Sequence, residues 1–113
     1  MYKKWPLTKT NLVAMETPRI MIIGNHVTTV QRVSGYCLKH NFEVFPYYGI
    51  PIVEEINLFS PHALVLCLPI PDNFQSQIIQ PHIFWTEEII DSKLLSVSTP
   101  KELYAYLQKV LVA

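Results

Sequence analysis

Three glycines, two cysteines and no excess of charge of either sign are the first things this 113-residue sequence withholds. Gly24 and Gly35 form neither a GxGxxG turn nor a P-loop, and no Lys-Ser or Lys-Thr follows them, so nucleotide binding has no motif to rest on. Cys37 and Cys67 lack CxxC spacing, which suits a reducing compartment better than a disulfide scaffold. Nine basic and nine acidic side chains cancel and are scattered, leaving no footprint for nucleic acid or an anionic membrane. No apolar run approaches the roughly 18 residues of a membrane span. The opening segment is broken by Pro6, Thr8, Lys9 and Asn11 before a signal-peptide core develops, so the sequence reads as cytoplasmic.

Half of the residues are apolar, enough for one buried core, and the chain is too short for two ordinary domains. Residues 1–18 have neither helical nor strand period and read as an N-terminal arm, and residues 19–113 as the domain. Arg19–Gly24 and Ala63–Leu68 are unbroken apolar runs, the pattern of strands buried on both faces of a parallel sheet. Between them, Val27, Val30, Val33 and Cys37 form a helical stripe with Asn25 as its expected N-cap. Phe42–Phe45 is predicted as a strand stopping at Pro46, and a second helix is predicted from near Pro51 with Val53, Ile56 and Phe59 turned inward.

Farther along, Asp72–Gln80 holds a short helix, and His82–Thr86 and Leu94–Ser98 are read as strands four and five. Thr99-Pro100-Lys101-Glu102 is a capping box opening a last helix with Leu103, Leu107, Val110 and Leu111 on one face. Alternating strands and helices predict a three-layer, flavodoxin-like α/β sheet of order 2-1-3-4-5 with right-handed crossovers. In such folds ligands sit outside the carboxyl ends of the strands, which directs attention to Gly24, Asn25, His26, Cys67, Thr86 and Ser96.

With those elements in place, the segment from Ser60-Pro61 through Ala63–Leu68 to Pro69-Ile70-Pro71-Asp72 resembles a bacterial response-regulator receiver domain. Receivers read there as Pro-Asp, an apolar strand, the phosphorylated Asp and a second Pro-Asp. The resemblance sets Cys67 at the phosphoacceptor, Gly24-Asn25 at the acidic pair, Thr86 at the switch hydroxyl and Ser96 at the lysine. Only Thr86 keeps the family residue. Mg²⁺ needs hard oxygen ligands, and Gly24, Asn25 and Cys67 supply no carboxylate. The resemblance thus implies a pseudo-receiver that takes neither Mg²⁺ nor a phosphoryl group, needs no cofactor, is not an enzyme, and acts through a protein partner or a second copy of itself. The stretches between Cys67, Thr86 and Ser96 are too short for full third and fourth helices.

The candidate partner surface is aromatic: Tyr47, Tyr48, Phe74 and Trp85 near the strand ends, and Tyr104 and Tyr106 on the last helix. Core packing explains the same residues as well. The competing function is a thiol enzyme or redox sensor using Cys67, with His26 as the only base nearby; a small apolar residue packed in a Leu-Val strand explains Cys67 equally simply. His26 also matches the histidine of a cobalamin-type Asp-x-His-x-x-Gly segment, but Gly24 and Thr29 break that pattern. His40, His62 and His82 have no metal-ligand spacing.

Overall fold

The computed structural model describes residues 17–87 and 96–112. Its elements are β1 Arg19–Gly24, α1 Val27–Leu38, β2 Glu43–Tyr48, α2 Val53–Phe59, β3 Ala63–Cys67, α3 Asp72–Gln75, β4 His82–Trp85, β5 Ser96–Val97 and α4 Pro100–Val112. The five strands are parallel and lie in the order β2-β1-β3-β4-β5, the arrangement expected from the sequence. β1 and β3 are central because every side chain from Ile20 to Ile23 and from Ala63 to Leu66 is shielded from water on whichever face it points to.

The pleat divides those side chains between two cores. Ile20, Ile22, Val65, Cys67, Ile83, Trp85 and Val97 face one way and pack against Val30, Val33 and Cys37 of α1 and Leu103 and Leu107 of α4. Met21, Ile23, Leu64 and Leu66 face the other way and meet Ile56 of α2, Ile70 and Phe74. The α1 stripe starts one turn later than its spacing predicts, since Val27 is 48% exposed.

Several boundaries differ from expectation for identifiable reasons. β2 runs through Pro46 to Tyr48, because an edge strand tolerates a proline whose missing N–H is not needed by its neighbour. Asn25 does not cap α1; His26 occupies the N-cap position and gives no side-chain hydrogen bond. α2 opens at Val53, where the Glu55 carboxylate accepts the Ile52 N–H at 3.1 Å and the Tyr47 hydroxyl at 2.7 Å. It closes on Ser60 in the left-handed region, whose N–H donates to the Ile56 carbonyl, and Pro61 follows. The third helix is indeed short, at four residues. Most of the predicted arm, the place of a fourth helix, and Leu94 and Leu95 of the fifth strand lie outside the described residues.

At the start of α4 the Glu102 N–H donates to the Thr99 hydroxyl oxygen at 3.2 Å, while the Glu102 carboxylate accepts the Ser98 N–H at 3.1 Å and the Thr99 hydroxyl at 3.2 Å. These bonds, that from the Ser98 N–H foremost, hold the Glu102 carboxyl below its ordinary range. A depressed carboxylate stabilises the fold above its unfolded pKa, and that contribution is lost as pH falls through the folded value. Thr99→Ala is expected to lose about 1 kcal/mol in urea unfolding at neutral pH. A variant within a few tenths of wild type would show the cap to be dispensable.

Candidate functional site

The carboxyl ends of β1, β3 and β4 meet where the sequence directs attention. Gly24 lies so close to β3 that a Cβ built on it would stand 2.8 Å from the Cys67 Cβ and 3.0 Å from the Val30 Cγ2. The two positions are therefore in contact, backbone against side chain, with no gap between them.

Cys67 is 3% exposed and belongs to the apolar core shared with α1 and α4. Burial above all, then the negative charge of Glu87 and the neighbouring Cys37, pushes its thiol up to about 12. Cys37 is pushed up to about 12 by burial as well, and the two thiols are free rather than bridged. A thiolate is the reactive form, so both sulfurs behave as packing atoms at neutral pH.

Trp85 closes the floor beside them. It is 2% exposed, its ring centroid is 5.8 Å from that of Tyr36, and its Nε1–H donates to the Glu87 carboxylate at 3.0 Å. The other carboxylate oxygen of Glu87 takes the Arg32 guanidinium of α1. This Arg32–Glu87–Trp85 clasp ties α1 to the segment leaving β4. Nothing in the sequence marks it, because Arg32 and Glu87 are 55 positions apart and each is an ordinary surface charge on its own element. Both side chains are more than a third exposed, so the ion pair is worth no more than about 1 kcal/mol.

The remaining site residues separate. Thr86 is buried, and its N–H donates to the Val97 carbonyl at 2.9 Å, continuing the β4–β5 ladder. Asn25 and His26 are exposed. Ser96 does not join Gly24 and Cys67: it pairs with Phe84, whose side chain packs on the α2/α3 face, whereas the next row, Val97 and Trp85, shares the Cys67 face. A period of two sets adjacent residues on opposite faces, so the placement of Ser96 in the pocket is corrected. Among the described residues no group of three His, Cys, Asp or Glu side chains is arranged to hold a metal ion. The remaining histidines have local contacts: His62 Nδ1 accepts the Arg19 N–H at 2.9 Å, and His40 stacks on Tyr104 at 3.7 Å.

The aromatic partner surface is also revised. Phe74 and Trp85 are 4% and 2% exposed and serve the two cores, so neither projects as an exposed aromatic contact. Tyr47 is half-buried and bonded to Glu55, Tyr104 is half-buried between His40 and Phe42, and Tyr106 packs on the core with the Lys109 ammonium 5.6 Å from its ring. Tyr48 alone of the six is exposed. Next to it in sequence, Ile50–Glu54 together with Pro71, Asn73, Phe74 and Gln77 line an open groove of about 520 Å³. Ile52, 60% exposed on its rim, carries no aromatic or charged signature that sequence reading would have selected.

This chain matches no protein-family model, and no curated protein matches it. Solved structures do. The BeF3-activated N-terminal receiver domain of Klebsiella pneumoniae RstA superimposes with a TM-score of 0.65 at 18% identity, covering 84% of this chain and 99% of that one. A CheY-like response regulator receiver domain from Methylobacillus flagellatus gives a TM-score of 0.56 at 10% identity over 84% of this chain and 99% of that one. A yeast Spc42 trimeric coiled coil fused to another structure gives 0.60 at 10% identity, over 88% and 83% of the two chains. The fold is receiver-like, a five-stranded flavodoxin-like α/β sheet, and among the described residues no helix is long and apolar enough to cross a membrane.

Proposed function

On this receiver-like scaffold, we propose that the chain is a non-catalytic pseudo-receiver that works by binding a protein partner, without aspartate phosphorylation. The observation that carries the reading is Cys67: the strand-end position that the resemblance assigns to the phosphoacceptor is a buried thiol packed against Gly24 and Val30. Magnesium would need several oxygen ligands there, and the Glu87 carboxylate, the one among the described residues whose charge acts on Cys67, is already engaged by Arg32 and Trp85. The residues do not fit the ion or the phosphoryl group it would serve. With the chemistry closed, what the strand ends still present to another protein is the open groove, with Ile52 on its rim and Tyr48 beside it.

Two measurements test this. Incubation with acetyl phosphate and Mg²⁺ is expected to leave the intact mass unchanged, and a gain of one phosphoryl group would overturn the reading. Affinity capture from the native cell extract is expected to retain a stoichiometric protein partner that is lost from a Tyr48→Ala/Ile52→Ala double variant. Capture of a partner undiminished by those substitutions would move the surface elsewhere, and capture of nothing would remove the binding role.

The thiol reading makes the opposite demand on Cys67. With both thiols pushed up to about 12 by burial, the thiolate is a very minor form at pH 8. Iodoacetamide at pH 8 is therefore expected to label neither cysteine until denaturant is added. Rapid labelling of Cys67 in the native protein would restore the thiol enzyme or redox sensor. The same shift has a sign in stability: a thiol whose folded value is raised favours the fold below its unfolded value near 9, and loses that contribution as pH rises from there toward 12.

A further inference from the structure

β2 is the outermost strand on its side of the sheet, and no described strand lies beyond it. A strand in that position normally offers a row of free N–H and C=O groups to any extended segment, whether from a partner or from a second copy. The register decides which groups those are. The Glu43 N–H donates to the Pro18 carbonyl at 2.9 Å and the Gly49 N–H to the Gly24 carbonyl at 2.7 Å, so the odd-numbered residues from 43 to 49 turn their backbone groups inward to β1. The even-numbered residues Val44, Pro46 and Tyr48 turn theirs outward. Proline has no N–H, and here it stands at the middle of the three outward positions, opposite Ile22 at the centre of the β1–β2 ladder.

We infer that Pro46 closes this sheet edge to strand addition, so that neither a second copy nor an extended segment of a partner pairs with β2. The half-ladder left over, one N–H at Val44 and one at Tyr48, is too short to register a strand, and a chain laid across it would bury a carbonyl of its own against the pyrrolidine ring without a donor. Val44 and Phe45 would otherwise make the edge inviting, since Phe45 is 39% exposed and β2 is rich in aromatic and β-branched residues. Docking at this edge of the sheet consequently goes through side chains, not through the β2 backbone.

The test is to restore the missing donor. Pro46→Val is expected to self-associate with rising concentration in sedimentation experiments, and the amides of residues 44, 46 and 48 are expected to exchange roughly tenfold or more slowly in concentrated than in dilute solution. In the wild type the amides of Val44 and Tyr48 are expected to exchange at a rate independent of concentration. Adding Tyr48→Pro to the valine variant moves the block one outward position along and is expected to return the protein to wild-type behaviour. Pro46→Thr provides the same donor should the valine variant fail to fold. A donor-restored variant that gains no concentration-dependent protection at those amides would overturn the inference. So would a wild type whose Val44 and Tyr48 amides are already protected in that way.

Discussion

Cys67→Asp is expected to destabilise the protein by roughly 3–5 kcal/mol at pH 7 and still to take no phosphoryl group from acetyl phosphate. The substitution returns the residue that the receiver pattern carries at this position, yet it returns it to a different environment. The side chain at 67 lies in the apolar core shared with Val30 and Trp85, where the negative charge of Glu87 already acts on it. Desolvation and that like charge both push a carboxyl up, as they already push the thiol. The sign follows from linkage: the folded pKa lies above the unfolded value of about 3.9, so the penalty is absent below about 3.9, grows as pH rises from there, and levels off only above the folded value. Unfolding measured from pH 4 to pH 8 should therefore show the variant losing ground to wild type steadily with pH. Cys67→Ala, which adds no charge, serves as the reference and is expected to lose about 1–2 kcal/mol with no such slope. A variant as stable as wild type at pH 7 would mean that water or a counter-ion reaches position 67, and the closed-pocket account would fail.

How far the sequence anticipates this site depends on the range of the signal. β1, β3 and α4 are legible because their evidence is local: continuous apolar runs that only a doubly covered parallel strand can use, and a Thr-Pro-x-Glu start that satisfies its own N–H groups. Alternation of elements gives a parallel sheet with helices on both faces, and the flavodoxin-like order is the arrangement such a chain is expected to take. β2 is misjudged at Pro46 because a proline reads as a stop unless the strand is known to be an edge. Ser96 is misplaced by one residue of register, which in a pleated strand is a whole face. The Arg32–Glu87–Trp85 clasp is invisible for a different reason: a contact across 55 positions has no periodic trace. Aromatic residues near strand ends fit a core and an interface equally well, and only burial separates Tyr48 from Phe74 and Trp85.

Gly24→Ala carries the second large effect, an expected loss of about 1–3 kcal/mol from overpacking. The added methyl would meet the Cys67 Cβ at 2.8 Å and the Val30 Cγ2 at 3.0 Å. The first of these atoms is fixed to the β3 backbone and cannot rotate away, so β1 and β3 must separate locally or the α1 contact must give. The Cys67→Gly background removes that atom, and there the same change at Gly24 is expected to lose less, with a coupling of at least about 0.5 kcal/mol between the two positions. Gly24→Asp and Gly24→Asn have nearly equal volume and differ in charge, so comparable losses for the two would assign the effect to space, not to charge. Gly24 and Cys67 thus fill each other's place, so a larger side chain at either position is expected to strain the other. A Gly24→Ala protein within about 0.5 kcal/mol of wild type, or a cycle showing strict additivity with Cys67→Gly, would show that the two positions do not constrain each other.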